Sequence, residues 1–136
     1  MSAKAEQENI LVVDDSEATL EVLQRNLVAE GYSVFTAFNV QKALSILNNT
    51  NIDLVITDLK MPGTSGLDLV KHVRENCRQT EVMMITGYAS VESAVQAVKN
   101  GAAEYLPKPF TDEELFFAVR KILDKLKNRK DRKSVV

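Results

Sequence analysis

Short apolar segments alternate with segments of helical periodicity along the whole chain, and this alternation limits the fold more than any other feature. The first apolar segment, Ile10–Val13, is continuous, and apolar side chains then recur at helical spacing at Leu20, Leu23 and Leu27. A short continuous apolar run is typical of a strand that is buried on both faces, as in a parallel sheet. The same unit recurs along the chain, with predicted strands at Ile10–Val13, Ser33–Ala37, Leu54–Thr57, Val82–Ile85 and Glu104–Leu106.

The segments between the predicted strands carry residues that begin and end helices. Ser16 and Ser90 are favourable N-cap residues, and Gly31 and Gly101 stand where glycine commonly ends a helix. The predicted helices cover Glu17–Glu30, Asn39 to Asn49, Leu67 to Asn76, Ser90 to Lys99, and the segment after the Thr111–Glu114 capping box. Strand–helix units with right-handed crossovers predict an α/β fold. We expect a single doubly wound, five-stranded parallel sheet of flavodoxin-like (βα)5 order, with helices on both faces.

The length and composition indicate one domain with polar ends. The chain has 136 residues, of which 45% are hydrophobic and 26% are charged, and this is the usual composition of a globular domain. We predict a disordered tail over residues 1–8, the domain over 9–127, and a basic tail or linker over 128–136. The last prediction rests on the six basic residues and one acidic residue between Lys125 and Lys133.

The charge, hydropathy and cysteine content exclude several classes of protein. The net charge of −2 is too balanced to indicate direct nucleic-acid binding by the domain. No apolar segment approaches the ~20 residues of a membrane-spanning helix, and Met1–Glu8 lacks the apolar stretch of a signal peptide. The single cysteine, Cys77, cannot form an intramolecular disulfide. We therefore expect a cytoplasmic protein with no membrane partner.

Polar side chains follow four of the predicted strands, at the edge where an open parallel sheet binds its ligands. In chain order they are Asp14, Asp15, Asp58, Thr86 and Lys108. Three converging carboxylates repel one another unless a cation lies among them, and oxygen ligands favour a hard ion such as Mg²⁺. A lysine adds a positive charge that can contact phosphate, and an aspartate can itself form an acyl phosphate.

Each of these residues has an ordinary structural explanation when it is taken alone. Acidic residues at the start of a helix stabilise the helix dipole, and a threonine or lysine in a loop needs no function. The joint pattern favours a site, because every member falls at the carboxyl end of a predicted strand. The phosphate-loop and dinucleotide-binding glycine motifs are absent from the sequence. Lys60 stands where an aspartate-nucleophile phosphatase would carry a second acid.

Four segments carry these residues in the order of a known family. They are Ile10–Asp15 (ILVVDD), Leu54–Gly63 (LVITDLKMPG), Met84–Gly87 (MITG) and Tyr105–Phe110 (YLPKPF). Over about residues 9–127 the chain resembles the receiver (CheY-like) domain of bacterial two-component response regulators, most closely the nitrogen-regulatory, σ54-activator type. The resemblance implies a signalling switch that takes a phosphoryl group from the phosphohistidine of a sensor kinase. It implies no enzymatic activity beyond Mg²⁺-dependent phosphorylation and dephosphorylation of the domain itself.

The resemblance also implies the roles of the residues at the sheet edge. Asp58 would be the phosphoacceptor. Lys108 would contact the phosphoryl group, and its peptide bond to Pro109 would be cis. Thr86 and Tyr105 would form a switch pair. The ligands of Mg²⁺, or of Mn²⁺, would be the carboxylates of Asp14, Asp15 and Asp58 and the backbone carbonyl of Lys60.

The face formed by the fourth helix, the fifth strand and the fifth helix is the expected output surface. Val91, Val95 and Val98 lie at helical spacing and exceed what one core-facing stripe needs. Phe116 and Phe117 are adjacent and cannot both face the core. We expect a homodimer through this face, and the alternative is a monomer in which both apolar sets are buried.

The output itself follows only from the resemblance. We expect a transcriptional output, carried by a domain outside this chain. The alternative is a stand-alone receiver that acts as a phosphorelay shuttle or by direct contact with another protein.

Overall fold

The computed structural model describes residues 7–61, 64–87 and 90–135. Within these ranges, five parallel strands form one sheet: β1 (Asn9–Val13), β2 (Ser33–Ala37), β3 (Leu54–Asp58), β4 (Glu81–Thr86) and β5 (Glu104–Pro107). Their order across the sheet is β2-β1-β3-β4-β5. The predicted flavodoxin-like α/β fold is therefore confirmed, and each strand lies within one or two residues of its predicted bounds.

Helices connect the strands and cover the sheet. They are α1 (Glu17–Ala29), α2 (Val40–Asn49), α3 (Gly66–Asn76), α4 (Val91–Lys99) and α5 (Asp112–Val135). The predicted caps are present: the side chains of Ser16 and Asn39 accept hydrogen bonds from backbone N–H groups in the first turns of α1 and α2. Gly31 and Gly101 follow the C-cap residues of α1 and α4 and adopt positive φ angles of 100° and 104°, a conformation in which glycine avoids a steric penalty.

Two hydrophobic clusters lie on opposite faces of the sheet. Ile10 and Val12 of β1 pack with α1 and α5, whereas Leu11 and Val13 pack with residues of α2, α3 and α4. Successive side chains of a strand point to opposite faces, so a strand between two helical layers must be apolar at every position. This is the physical reason why the predicted strands are continuous rather than alternating apolar runs.

The segment between β3 and α3 contains a short element outside the five-stranded sheet. Lys60–Met61 and Thr64–Ser65 form a short antiparallel pair, and the side chain of Ser65 caps α3, which begins at Gly66 rather than at Leu67. A pairing of two residues per strand has no periodicity that a sequence pattern could reveal. The second strand of this pair ends at Ser65, immediately before α3.

The predicted tails are described only in part. Residues 1–6 of the predicted N-terminal tail lie outside the described residues, while the Gln7 side chain donates a hydrogen bond to the Gly31 carbonyl at 2.8 Å. At the other end, α5 continues to Val135, so most of the predicted basic segment is helical. Arg129 donates to the Glu81 carboxylate at 2.7 Å, which ties this part of α5 to the start of β4. No helix in the described part of the chain is long and apolar enough to cross a membrane.

Candidate functional site

The carboxyl edge of the sheet brings the three predicted acidic residues together. Val13 pairs with Thr57 in adjacent strands, so Asp14 and Asp58 leave the sheet side by side. Asp15 follows Asp14 at the start of the connection to α1. Carboxylate oxygens of Asp14, Asp15 and Asp58 all lie within 4.8 Å of one another. Because β1 lies between β2 and β3, these residues stand at the topological switch point, where open α/β sheets bind ligands.

The three members of the acidic cluster differ in their exposure to solvent. Asp14 and Asp58 are buried, whereas Asp15 is exposed. Oδ1 of Asp14 accepts a hydrogen bond from the Ser16 N–H at 2.9 Å. Oδ2 of Asp14 and Oδ1 of Asp58 accept no hydrogen bond from the residues that the structure describes. Two buried carboxylate oxygens that accept no hydrogen bond are costly, and they mark a place for a positively charged ligand.

Burial also changes the acidity of the cluster. Loss of hydration raises the pKa of Asp14 above its ordinary value, and the nearby charges of Asp58 and Asp15 add to this effect. The hydrogen bond from Ser16 and the positive charge of Lys108 lower the pKa of Asp14 but do not cancel the loss of hydration. The ionised form of Asp14 is therefore held at a free-energy cost, which a bound cation would reduce.

Lys108 supplies the positive charge inside the site. Its Nζ lies 3.5 Å from Oδ2 of Asp14 and 3.9 Å from Oδ2 of Asp58. Its backbone N–H donates to the Thr86 carbonyl at 2.8 Å, which holds the segment after β5 against the end of β4. The Lys108–Pro109 peptide bond is cis, as the resemblance implied. One ammonium group thus contacts two of the three carboxylates.

The site opens to solvent through a cleft of about 340 Å³. Its lining residues are Asp14, Asp15, Ser16, Asp58, Lys60, Met61 and Lys108. The three clustered carboxylates offer oxygen atoms, which suit a hard cation rather than the soft metal ions that thiolate and thioether ligands prefer. Oxygen ligands around two buried acceptors fit a hard divalent cation such as Mg²⁺, which keeps several of its waters at an open site.

Gly66, the glycine that follows the segment carrying Asp58, is a structural determinant of the site. It begins α3, and its N–H donates to the Leu59 carbonyl at 2.7 Å. A Cβ atom at this position would lie 2.0 Å from the backbone oxygen of Asp58 and 3.2 Å from Cα of Leu59. Only a glycine lets the backbone of α3 approach the residue after β3 this closely. The sequence signal was present, since Gly66 follows the segment that carries Asp58.

The two predicted switch residues lie on neighbouring strands. Thr86 is fully buried at the end of β4, and Tyr105 is half-buried on β5, where it is the register partner of Met84. Tyr105 packs on the sheet face that carries Met84 and Ala97, and Thr86 points to the same face because it is two residues beyond Met84. The Tyr105 hydroxyl lies 2.5 Å from Oγ of Ser93 in α4. Sequence reasoning missed Ser93.

The expected output face carries exposed apolar side chains. Val91, Val95 and Val98 of α4 are 83%, 45% and 63% exposed. Phe117 of α5 is 70% exposed, whereas Phe116 packs against the core cluster on the α5 side. The alternative in which both apolar sets are buried is therefore wrong for this fold. An exposed apolar patch of this kind is typical of an interface.

Comparisons with known proteins agree with this architecture. The family model described as "Response regulator receiver domain" matches residues 10–120. The transcriptional regulatory protein CpxR of Escherichia coli K12 is 40% identical over 114 residues, covering 84% of this chain and 48% of CpxR. The chain spans about half the length of the curated relatives it matches.

Solved structures show the same fold. A CheY-like receiver domain protein from Methanospirillum hungatei superposes with a TM-score of 0.87 at 30% identity, covering 91% of this chain and 99% of that one. The beryllofluoride-activated receiver domain dimer of NtrC4 superposes with a TM-score of 0.82 at 32% identity, covering 87% of this chain and 98% of that one. The chain therefore belongs to the receiver domain family of response regulators, the phosphorylation-dependent switches of two-component signalling.

Proposed function

We propose that Asp58 accepts a phosphoryl group from the phosphohistidine of a sensor kinase. The observation that carries this proposal is the position of the Asp58 carboxylate. It is buried at the end of β3, Oδ1 accepts no hydrogen bond from the described residues, and Oδ2 lies 3.9 Å from Nζ of Lys108. Asp14 is more deeply buried and its Oδ1 is engaged with Ser16, whereas Asp15 is exposed. Asp58 is thus the carboxylate best placed to act as a nucleophile.

The transfer is a displacement at phosphorus. An oxygen of the Asp58 carboxylate forms a bond to phosphorus while the bond from phosphorus to the imidazole nitrogen of the kinase breaks. The phosphohistidine ring carries a proton on its other nitrogen, so the electron pair of the broken bond leaves with a neutral imidazole. The product is an acyl phosphate on Asp58. The Lys108 ammonium lies within reach of the new phosphoryl oxygens and stabilises their charge. The domain catalyses this step and the later hydrolysis only on itself.

Receiver domains bind Mg²⁺ at an acidic pocket, and the cluster described above fits that ion. We assign Asp14, Asp15, Asp58 and the backbone carbonyl of Lys60 as the protein ligands, and the same set suits Mn²⁺. When bound, the ion supplies positive charge that offsets the mutual repulsion of the carboxylates and of the phosphoryl oxygens. The chain's own contribution is to hold the three carboxylates close together without neutralising them.

Divalent-ion binding has a direct thermal test. Because the ion binds only the folded chain, Mg²⁺ at ten times its dissociation constant should stabilise the protein by about 1.4 kcal/mol, which raises the melting temperature by several degrees. Asp15→Ala should remove most of this response. Glu17→Ala is the matched control, since Glu17 is an exposed acid in the first turn of α1 outside the cluster, and it should respond like the unmodified chain. An equal response in Asp15→Ala would contradict the assignment.

The added charge is the switch signal. The phosphoryl group on Asp58 carries about −1.5 to −2 charges at neutral pH, in place of the single negative charge of the free carboxylate. We propose that the Thr86 hydroxyl moves to bond a phosphoryl oxygen and that Tyr105 turns into the space that Thr86 vacates. Support comes from the common face of the two side chains and from the backbone bond between Lys108 and Thr86. The movement would alter the face formed by α4, β5 and α5 as a two-state equilibrium.

The output that best fits this face is self-association that controls transcription. Three observations support it: the exposed valines of α4, the exposed Phe117 of α5, and the structural likeness to the activated NtrC4 receiver, which is described as a dimer. That likeness also favours the nitrogen-regulatory type. CpxR is described as a transcriptional regulatory protein, and we infer a comparable output domain for the full-length protein, which we place in the cytoplasm.

Dimerisation can be tested with a phosphoryl mimic. With Mg²⁺ and beryllofluoride the sedimentation coefficient should shift from monomer to dimer at micromolar concentration, because activation by ~1–3 kcal/mol strengthens association roughly 5- to 150-fold. Val98→Lys should abolish the shift. Val28→Lys is the control, because Val28 is a similarly exposed valine (51%) on α1, which is not one of the elements that form the face. Dimerisation that survives Val98→Lys would place the interface elsewhere.

A further inference from the structure

The hydroxyl of Ser93 is the point at which α4 contacts Tyr105. Oγ of Ser93 lies 2.5 Å from the Tyr105 hydroxyl. The same atom accepts the Ser90 N–H at 3.1 Å and donates to the Ser90 carbonyl at 3.1 Å. Ser90 is the N-cap of α4, and the two serines form a reciprocal capping box. The Ser93 side chain therefore both caps α4 and contacts the Tyr105 hydroxyl.

Oγ of Ser93 has four polar neighbours, and either it or the Tyr105 hydroxyl can donate in the contact between them. A serine hydroxyl has one proton to give and two lone pairs to offer. When the proton of Ser93 points to the Ser90 carbonyl and one lone pair is filled by the Ser90 N–H, the second lone pair is open to the Tyr105 proton. The Ser90 hydroxyl, 3.1 Å from the same Oγ, can donate to that lone pair as well. In this arrangement the Tyr105 and Ser90 hydroxyls compete for a single acceptor position.

Because of this competition, the acceptor position on Ser93 Oγ can be filled in two ways. In the structure the Tyr105 hydroxyl occupies the acceptor position. If Tyr105 turned away, the Ser90 hydroxyl could donate to the same lone pair without moving a helix, because the two serine oxygens are already at hydrogen-bond distance. The first turn of α4 would stay capped in both states.

We propose that Ser93 is a positioning residue that holds Tyr105 in the orientation seen here and so sets how readily the domain switches. This inference rests on the proposed function, because it concerns the movement of Tyr105 that follows phosphorylation of Asp58. Tyr105 lies on β5 between α4 and α5, and its hydroxyl bond to Ser93 exists only while the side chain points toward the start of α4. Removing the bond lowers the cost of leaving this orientation and shifts the population toward the activated state.

The test is the affinity for beryllofluoride, which mimics the phosphoryl group, measured with Mg²⁺ by isothermal titration. Ser93→Ala should bind beryllofluoride about 2- to 10-fold more tightly than the unmodified chain. The reason is that the lost hydrogen bond stabilises only the resting state, so its removal makes the activated state easier to populate. Ser93→Thr keeps the hydroxyl and should restore the original affinity. In a Tyr105→Phe background, Ser93→Ala should have no further effect, because the phenol proton is already absent.

A matched variant separates this role from capping. Ser90→Ala weakens the same helix cap but leaves the Tyr105 contact intact, and it also removes the donor that replaces Tyr105. It should therefore not tighten beryllofluoride binding. Tightening by Ser90→Ala, or an undiminished effect of Ser93→Ala in the Tyr105→Phe background, would overturn the inference. A failure of the unmodified chain to bind beryllofluoride would overturn the proposed function and this inference with it, whereas binding that Ser93→Ala leaves unchanged would overturn the inference alone.

Discussion

Asp58→Asn is expected to abolish phosphorylation of this chain by a small donor such as acetyl phosphate in the presence of Mg²⁺. The amide has nearly the same shape as the carboxylate, but it cannot act as the nucleophile that forms an acyl phosphate. Intact-mass spectrometry measures the result directly, as loss of the phosphorylated species. The expected effect is complete, because no other carboxylate at the sheet edge is both buried beside Lys108 and free of a backbone hydrogen bond within the described residues.

Two further measurements make that experiment decisive. Asp68→Asn is the matched control, since Asp68 is an exposed carboxylate in the first turn of α3, and it should be phosphorylated normally. Lys108→Ala should leave Asp58 chemically competent but slow the transfer, because the positive charge 3.9 Å from Oδ2 is lost. Undiminished labelling of Asp58→Asn would show that the phosphoryl group resides on another residue.

Gly66→Ala is expected to destabilise the domain by about 3 kcal/mol or more, measured as the free energy of unfolding in urea. Helix propensity alone gives the opposite sign, since alanine is favoured over glycine by up to ~1 kcal/mol within a helix. The steric conflict should outweigh this gain. The added Cβ would lie 2.0 Å from the backbone oxygen of Asp58, and backbone at the end of a buried strand cannot move aside as a flexible side chain can.

Gly87→Ala provides the comparison for the glycine substitution. Gly87 directly follows β4 at the same edge of the sheet, and a Cβ there would have no atom of the described residues within 4 Å. Its stability should remain within about 0.5 kcal/mol of the unmodified chain. A Gly66→Ala protein as stable as Gly87→Ala would mean that α3 does not approach Asp58 as closely as the structure shows.

The electrostatics of the acidic cluster are incomplete in the structure. Lys108 contacts two carboxylates, yet an oxygen of Asp14 and an oxygen of Asp58 remain without hydrogen bonds from the described residues. Complete pairing would stabilise the resting fold but would leave neither a cation position nor an available nucleophile. The raised pKa of Asp14 reflects the cost of this arrangement. We infer that the proposed binding of a cation and then of a phosphoryl group depends on this uncompensated charge.

Local chemistry explains why much of the fold could be predicted. A strand that is covered by helices on both sides must be apolar at every position, so β1 and β3 stand out as continuous runs. Helix ends need side-chain acceptors for their free N–H groups, so Ser16, Asn39 and Ser90 mark the starts of α1, α2 and α4. Because parallel strands end at one edge of the sheet, the polar residues after them could be assigned to one site before any distance was known.

Contacts between distant segments could not be predicted in the same way. The approach of Gly66 to Asp58, and the bond from Arg129 to Glu81, depend on how helices lie across the sheet. The sequence showed that only one of the adjacent Phe116 and Phe117 could face the core, but which one depends on the rotation of α5.

The succession of strands and helices along the chain, the chemistry of the sheet edge and the family of the chain could all be inferred from the amino-acid sequence. Those features depend on periodicity, caps and motifs, which are local along the chain. Only the folded domain shows which carboxylate oxygens accept no hydrogen bond from the described residues, how near Lys108 lies to two carboxylates, and that Ser93 contacts Tyr105. These features depend on side chains that meet across the packed layers, and distances of this kind are set by the packing of the whole domain.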